Sequence, residues 1–358
     1  MEVKKETKRI IWIDVVRGMA IMFVVLCHVS ETLFFYSNID ITSAGVAQQV
    51  VAFFSFTIGR LGVPLFLFIS GYLLLSRVYD DEKSIRFWKH NLVSLLILTE
   101  VWVVIYHIFR IVFFDEGFSL KLLLGNMLFL SPVNMPHMWY LPMLLGLYIS
   151  LPLVSIALHK IQIRTLLFPM AVVALYSFGV PTLNIFLDVA ERSTLSNQLS
   201  LSFGGGVYGT YLIIGYLFWR QKNRKFNRRF LCVAAGSFLI MTVAVQMILL
   251  NQGYQYKVWY DFALLALVAV SLFGTLQGLN IGEKGACFWN RLSTDSFGIY
   301  LVHKPVHYIV LRYFPMNGLF APIRMIILFA LVFCLSWGVV EIVSKIPKAG
   351  KLLFLIKK

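Results

Sequence analysis

Apolar runs long enough to cross a bilayer follow one another almost end to end in this chain, separated only by short polar or basic stretches. A spanning helix needs about 20 mostly apolar residues. Lipid offers no partner for backbone N–H and C=O groups, so such runs must satisfy them internally, as helices. Composition excludes the soluble alternative. Of 358 residues, 59% are apolar and only 14% charged, against about 25% charged in soluble domains. The sequence therefore predicts an all-α, polytopic integral membrane helix bundle with about ten transmembrane helices. They are expected at roughly 10–34, 52–76, 91–114, 137–159, 166–184, 204–220, 230–250, 258–279, 293–313 and 321–344.

Charge placement gives the orientation. The net charge of +15 is not gathered into a soluble basic domain, which argues against nucleic acid as a partner and for membrane lipids. With the N-terminus inside and the spans alternating, 23 Lys and Arg fall in cytoplasmic segments: residues 4–9, 77–89, 160–164, 220–229, 284–291 and 345–358. Only 3 (Lys121, Arg192 and Lys257) fall outside. Short loops obey the positive-inside bias, so both termini are expected in the cytoplasm. Cys27, Cys232, Cys287 and Cys334 show no CxxC pairing and predict no disulfides. The first apolar run is too long and too polar for a cleavable signal peptide. One membrane domain over 1–358 is expected, its residues 345–358 a basic cytoplasmic tail. The loops near 115–136 and 185–203 are candidates for a lid or a substrate-facing surface. Trp102, Trp139, Trp219, Trp259 and Trp337 read as interfacial or packing residues, and Gly204, Gly205 and Gly206 as tight packing.

Ionisable groups inside spans are costly unless they face protein or water, so they are functional candidates. In the first span, Asp14 and Arg17 are three residues apart and expected to pair. His28, eleven residues beyond Arg17, returns to the same helix face about 16 Å deeper. Gly18 and Ala20 admit a close neighbour. In the second span Pro64 cannot donate to the Arg60 carbonyl, so the helix is expected to loosen where the arginine lies, with Arg60, Pro64, Leu67 and Gly71 on one face. Such an arginine suits phosphate or a developing oxyanion; the bland alternative is snorkelling to headgroups. Glu100 and His107 share a face of the third span as a possible bracing pair. His137 opens the fourth. Ser296, Tyr300, His303 and His307 form a stripe on the ninth, with Ser293 and Asp295 expected as caps at its start. His303 and His307 have a zinc-like spacing but no third ligand, and no metal is expected. GxSxG, P-loop, dinucleotide and HExxH signatures are missing.

The runs IDVVRGMAIMFVVLCH, RLGVPLFLFISGYLL, HMWYLPMLLGLYISLP and SFGIYLVH occur in that order from residue 12 to residue 303. Together they resemble the family 3 membrane acyltransferases, most of all the enterobacterial common antigen O-acetyltransferase type. The resemblance implies transfer of an acyl group, usually acetyl from cytoplasmic acetyl-CoA, to a hydroxyl of a cell-surface glycan or its lipid-linked precursor, in the bacterial inner membrane. The family's functional arginine and histidine of the first span match Arg17 and His28, and its second-span arginine matches Arg60. The RxxR pattern of some relatives is broken here, with Thr57 and Val63 at the neighbouring positions. A stand-alone form, without an esterase-like domain after the tenth span, is expected.

These readings combine into one mechanism. His28 is the expected general base on the acceptor hydroxyl, or a covalent acyl carrier. Arg60 would stabilise the thioester oxyanion. Arg17 with Asp14 would hold the acyl-CoA, which is a co-substrate, no bound cofactor being expected. Ser70, Tyr72, Glu100, His137, Trp139, Tyr300 and His303 are the candidate cavity lining. A secondary transporter or flippase would also bury charges in broken helices, but no matching pair of interrupted spans is present. A sensor or scaffold would use the polar stripe only for packing.

Overall fold

The computed structural model describes residues 9–36, 41–132, 135–196, 199, 205–316, 318–346 and 348–356. The expected cytoplasmic lysines at 4, 5, 8, 357 and 358, and Gly204, lie outside them. Every regular element among the described residues is helical, as the lipid-solvent argument requires.

The first span is α1 (Ile11–Phe34). The second is divided into α2 (Val46–Arg60) and α3 (Gly62–Ser70), which runs on into a π-helical turn, Gly71–Leu75. The division falls at Leu61, because Pro64 has no N–H to offer the Arg60 carbonyl. Next come α4 (Asp81–Phe87), a π segment Trp88–Leu92, and α5 (Val93–Phe114). The Asp80 side chain caps α4 by accepting from the Lys83 N–H at 2.8 Å. The short α6 (Leu120–Met127) lies in the expected outer loop, which ends in the 3-10 turn Pro136–Trp139 leading into α7 (Tyr140–Lys160). The fifth span is α8 (Ile163–Ala174), a π turn and α9 (Val180–Val189). There follow α10 (Gly206–Arg220), α11 (Arg228–Asn251), α12 (Ala263–Leu276), α13 (Glu283–Tyr313), α14 (Ala321–Val343) and a last turn of helix, α15 (Ala349–Phe354).

Seven of these helical runs are long and apolar enough to cross a membrane: those at 11–34, 46–75, 81–114, 136–160, 163–189, 228–251 and 321–343. The other three expected spans fall on α10 and α12, of 15 and 14 residues, and on α13, whose 31 residues are broken by polar side chains.

Two expected boundaries are corrected. Helix α13 starts ten residues earlier than its apolar stretch, so Ser293 and Asp295 are buried mid-helix residues and not caps. Asp295 instead accepts from the Trp337 indole at 3.0 Å. Helix α12 starts at Ala263, five residues later than the apolar run. The intervening backbone is irregular, and protein groups satisfy it. The Gln246 side chain accepts from Val258 N at 3.1 Å, and the Tyr211 hydroxyl donates to the Tyr260 carbonyl at 2.7 Å. Irregular backbone at membrane depth requires such internal partners.

Helix α1 is central, packed against α2, α3, α13 and α14. Some 67% of its apolar window is buried, and 72% of the second span's, against 17% for Ile163–Val189 and 28% for α14, which leaves the latter two to face lipid. Glycines set the closest approaches. A Cβ on Gly59 would stand 2.5 Å from Cys27 Cα, one on Gly62 2.7 Å from the Ala20 carbonyl, and one on Gly18 2.6 Å from the Trp289 ring. Without a hydrophobic force between helices in lipid, small residues at such crossings allow the packing that holds them.

Candidate active site

The close crossing of α1 and α2 at Cys27 and Gly59 brings the next residue of each helix together. His28 and Arg60 there share one carboxylate. His28 Nδ1 lies 3.3 Å from Glu31 Oε2, and Arg60 Nη2 lies 3.4 Å from Glu31 Oε1. Because an ionised carboxylate only accepts, Nδ1 carries the imidazole proton and Nε2 is left as a basic lone pair. Arg60 is not free of partners, as the loosened helix suggested. It also donates to the Tyr260 hydroxyl at 3.4 Å, and its guanidinium lies 4.3 Å from the centroid of Trp259, 4.6 Å from Phe56 and 5.4 Å from Tyr260. Each such cation–π contact contributes about 0.5–2 kcal/mol, more where water is excluded. At 5% exposure Arg60 does not snorkel. Its Nε remains buried and unpartnered among the described residues.

Two more imidazoles surround His28. The ring of His303 is stacked on it at 5.3 Å, and that of His137 lies 6.1 Å away and 5.0 Å from His303. His303 Nδ1 is 2.6 Å from the Tyr300 carbonyl and so donates to it. The Tyr106 hydroxyl donates to the Leu301 carbonyl and therefore accepts from His137 Nε2, at 3.1 Å. His303 Nε2 and His137 Nδ1 are left as buried lone pairs without a partner among the described residues. A buried polar atom left unmade costs about 1–3 kcal/mol. Both nitrogens belong to rings in direct contact with His28. No group of three or more His, Cys, Asp or Glu is placed to hold a metal ion among the described residues.

A cavity of about 1360 Å³ runs from this cluster to the end of the bundle where α1 begins. Asp14, Arg17, His28, Arg60, Ser70, His137, Trp139 and Tyr300 line it. Three other candidates do not. Tyr72 packs edge-on against Trp12 of α1 at 5.1 Å, beside Gly71, whose backbone meets Leu212 of α10; Val63, Phe66, Ser70 and Leu73 line the cavity instead. Glu100 sits on α5 away from the cavity and forms no hydrogen bond with His107. His303 lies a layer behind, reaching the site through the His28 ring.

The expected Asp14–Arg17 pair is also replaced. Asp14 binds Arg9 through both oxygens, at 2.8 and 3.1 Å, since Arg9 approaches from the turn before the helix. Arg17 donates to Ser293 Oγ at 3.4 Å, leaving its guanidinium at the cavity wall. Sequence reasoning missed Glu31, Trp259 and Tyr260. Glu31 was visible as a carboxylate three residues after His28. Trp259 and Tyr260 were hidden because their placement depends on the unwound start of α12.

A buried imidazole–carboxylate–guanidinium cluster at the end of a polar cavity between membrane helices defines a polytopic membrane protein equipped for acid–base chemistry. The comparison with known proteins gives that chemistry its class: the acyltransferase 3 family, described as an acyltransferase domain, matches residues 10–341, and the chain belongs to it. It is therefore a transferase of acyl groups. It is also similar to the Succinoglycan biosynthesis protein ExoH of Rhizobium meliloti (strain 1021), with 24% identity over 286 residues, 73% of this chain and 69% of that protein. No solved structure matches the chain significantly.

Proposed function

We propose that this protein O-acetylates a cell-surface polysaccharide or its lipid-linked precursor, with acetyl-CoA as donor, in the inner membrane of a bacterium. The spans number ten in this reading, with both termini in the cytoplasm. The reading rests on one observation: a single cavity joins a basic end, lined by Arg9, Arg17 and Arg77, to the buried His28–Glu31–Arg60 cluster. The basic end suits the phosphates of a cytoplasmic CoA. The rise from Arg17 to His28, about 16 Å, is of the order of the pantetheine arm. The polysaccharide class is supported by the family and by the relative's printed role in succinoglycan biosynthesis. The enterobacterial common antigen type, suggested by the motifs, is one acceptor within that class.

In the reaction, His28 Nε2 takes the proton of the acceptor hydroxyl as its oxygen bonds to the thioester carbon. Arg60 stabilises charge gathering on the carbonyl oxygen. The C–S bond then breaks, and His28 returns the proton to the sulfur of CoA. Glu31 holds the imidazole in the competent tautomer and stabilises its protonated form. His137, which lines the cavity, offers its free Nδ1 to a neighbouring hydroxyl of the acceptor, while His303 supports the His28 ring from behind.

Mass spectrometry of surface glycans from cells with and without the protein tests this directly. An acetyl increment is expected in the first, lost on His28→Ala at unchanged protein abundance. Undiminished acetylation in the His28→Ala cells would remove the mechanism. A succinyl increment would change the donor and keep the site.

A further inference from the structure

Sequence alone makes residues 345–358 a basic tail, yet part of it is built into the cavity. Lys351, Phe354, Leu355 and Ile356 line the same space as Arg17 and His28. The segment is tied down at several points. Phe354 and Ile356 are 3% and 6% exposed. Phe354 lies against Gly298 of α13, where a Cβ would come within 3.1 Å of its ring. The Trp102 indole donates to the Leu353 carbonyl at 2.8 Å. At the other end Gly350 backs onto Ser344, with 3.0 Å left for a Cβ, and Ile356 N closes the turn on the Gly350 carbonyl at 3.0 Å. Lys348 and Leu355 flank α15 with φ of 69° and 55°, left-handed values that side-chain-bearing residues adopt only when the surroundings impose them. Chain ends are ordinarily loose unless anchored in this way.

The charge at this mouth is one-sided. Arg9, Arg17, Arg77 and Lys351 line it together with His90, and its lining carboxylate, Asp14, is already engaged by Arg9. Lys351 is exposed, and no carboxylate pairs with it among the described residues. We propose that residues 349–356 form a wall of the donor entrance and that Lys351 contacts a phosphate of the acyl-CoA. This rests on the acetyl-CoA reading above and adds to it a segment outside the family-matched residues 10–341. Phe354 anchors the backbone from which Lys351 projects, and the lysine's ammonium is a point charge of the kind that binds phosphate.

The full chain in lipid nanodiscs provides the test, with two donors, acetyl-CoA and S-acetyl-pantetheine, which lacks the nucleotide phosphates. Lys351→Ala is expected to raise KM for acetyl-CoA about tenfold, the effect of one charge-assisted contact. It should leave kcat, and KM for S-acetyl-pantetheine, unchanged. Lys351→Arg should restore the loss. Phe354→Ala, which undocks the wall, should raise KM for acetyl-CoA at least as much. A merely structural lesion would affect both donors alike, and that result overturns the assignment, as does an unchanged KM in Lys351→Ala. If the wild type binds no CoA at all, the donor reading fails and this one with it. Wild-type binding with an indifferent Lys351 leaves the donor reading standing alone.

Discussion

Glu31 is engaged by His28 through one oxygen and by Arg60 through the other, which makes it the most informative single residue to alter. Glu31→Gln preserves volume and one accepting oxygen but removes the charge that stabilises protonated His28. Its amide can also donate to Nδ1, which would move the imidazole proton to Nε2 and abolish the base. General-base catalysis contributes about 10²–10⁴-fold, so kcat should fall by about 10² or more, with KM for acetyl-CoA nearly unchanged because Arg17 and the basic mouth are intact. Steady-state kinetics on the purified variant decide it: a KM effect with full kcat would make Glu31 a binding residue and not an orienting one. The side chain is 12% exposed, and its loss should cost little stability beyond the contacts with His28, Arg60 and Tyr36.

At the scale of helices, function depends on how closely α1 and α2 cross. Gly59→Ala places a Cβ 2.5 Å from Cys27 Cα, a backbone atom that cannot swing aside. The crossing must open by several tenths of an ångström, at the level of His28 and Arg60. Small-to-large changes in packed sites cost about 1–3 kcal/mol, so a lower thermal midpoint and at least a tenfold loss of activity are expected. Gly236, on α11, has open space where its Cβ would go. Gly236→Ala should be neutral or stabilise by about 0.5–1 kcal/mol through helix propensity. Thermal unfolding of both variants in one detergent gives the comparison, and equal behaviour of the two would discard the crossing argument. The same elements show what the sequence made legible. Spans, the break at Leu61 and the shared cavity face of Asp14, Arg17 and His28 follow from hydropathy, one proline and helical periodicity, all local in the chain. Partner choice is not local. Asp14 finds Arg9, not Arg17, and Tyr72 turns to Trp12, because neighbouring helices compete for each side chain. Trp259 and Tyr260 were hidden for a different reason: side chains of other helices, Gln246, Tyr211 and Thr182, satisfy the backbone that leaves the helix there.

Across the whole molecule, one asymmetry of charge serves two ends. In the proposed orientation, the positive-inside bias that inserts the chain also leaves the cavity mouth, lined by Arg9, Arg17, Arg77 and Lys351, cationic and so attractive to the anionic cytosolic donor proposed above. Were the chain inserted the other way, the basic mouth would face a compartment without acyl-CoA, so orientation and activity must stand or fall together. The turn between α10 and α11, with Asn223 exposed, should then lie in the cytoplasm, and the end of α11, with Gln252 exposed, on the opposite face. In a chain whose native cysteines are replaced by alanine, a membrane-impermeant maleimide should modify Gln252→Cys in intact spheroplasts. It should reach Asn223→Cys only after the membrane is opened. The reverse pattern would place the mouth outside, where cytosolic acetyl-CoA cannot reach it, and the route from that mouth to His28 could not carry the donor.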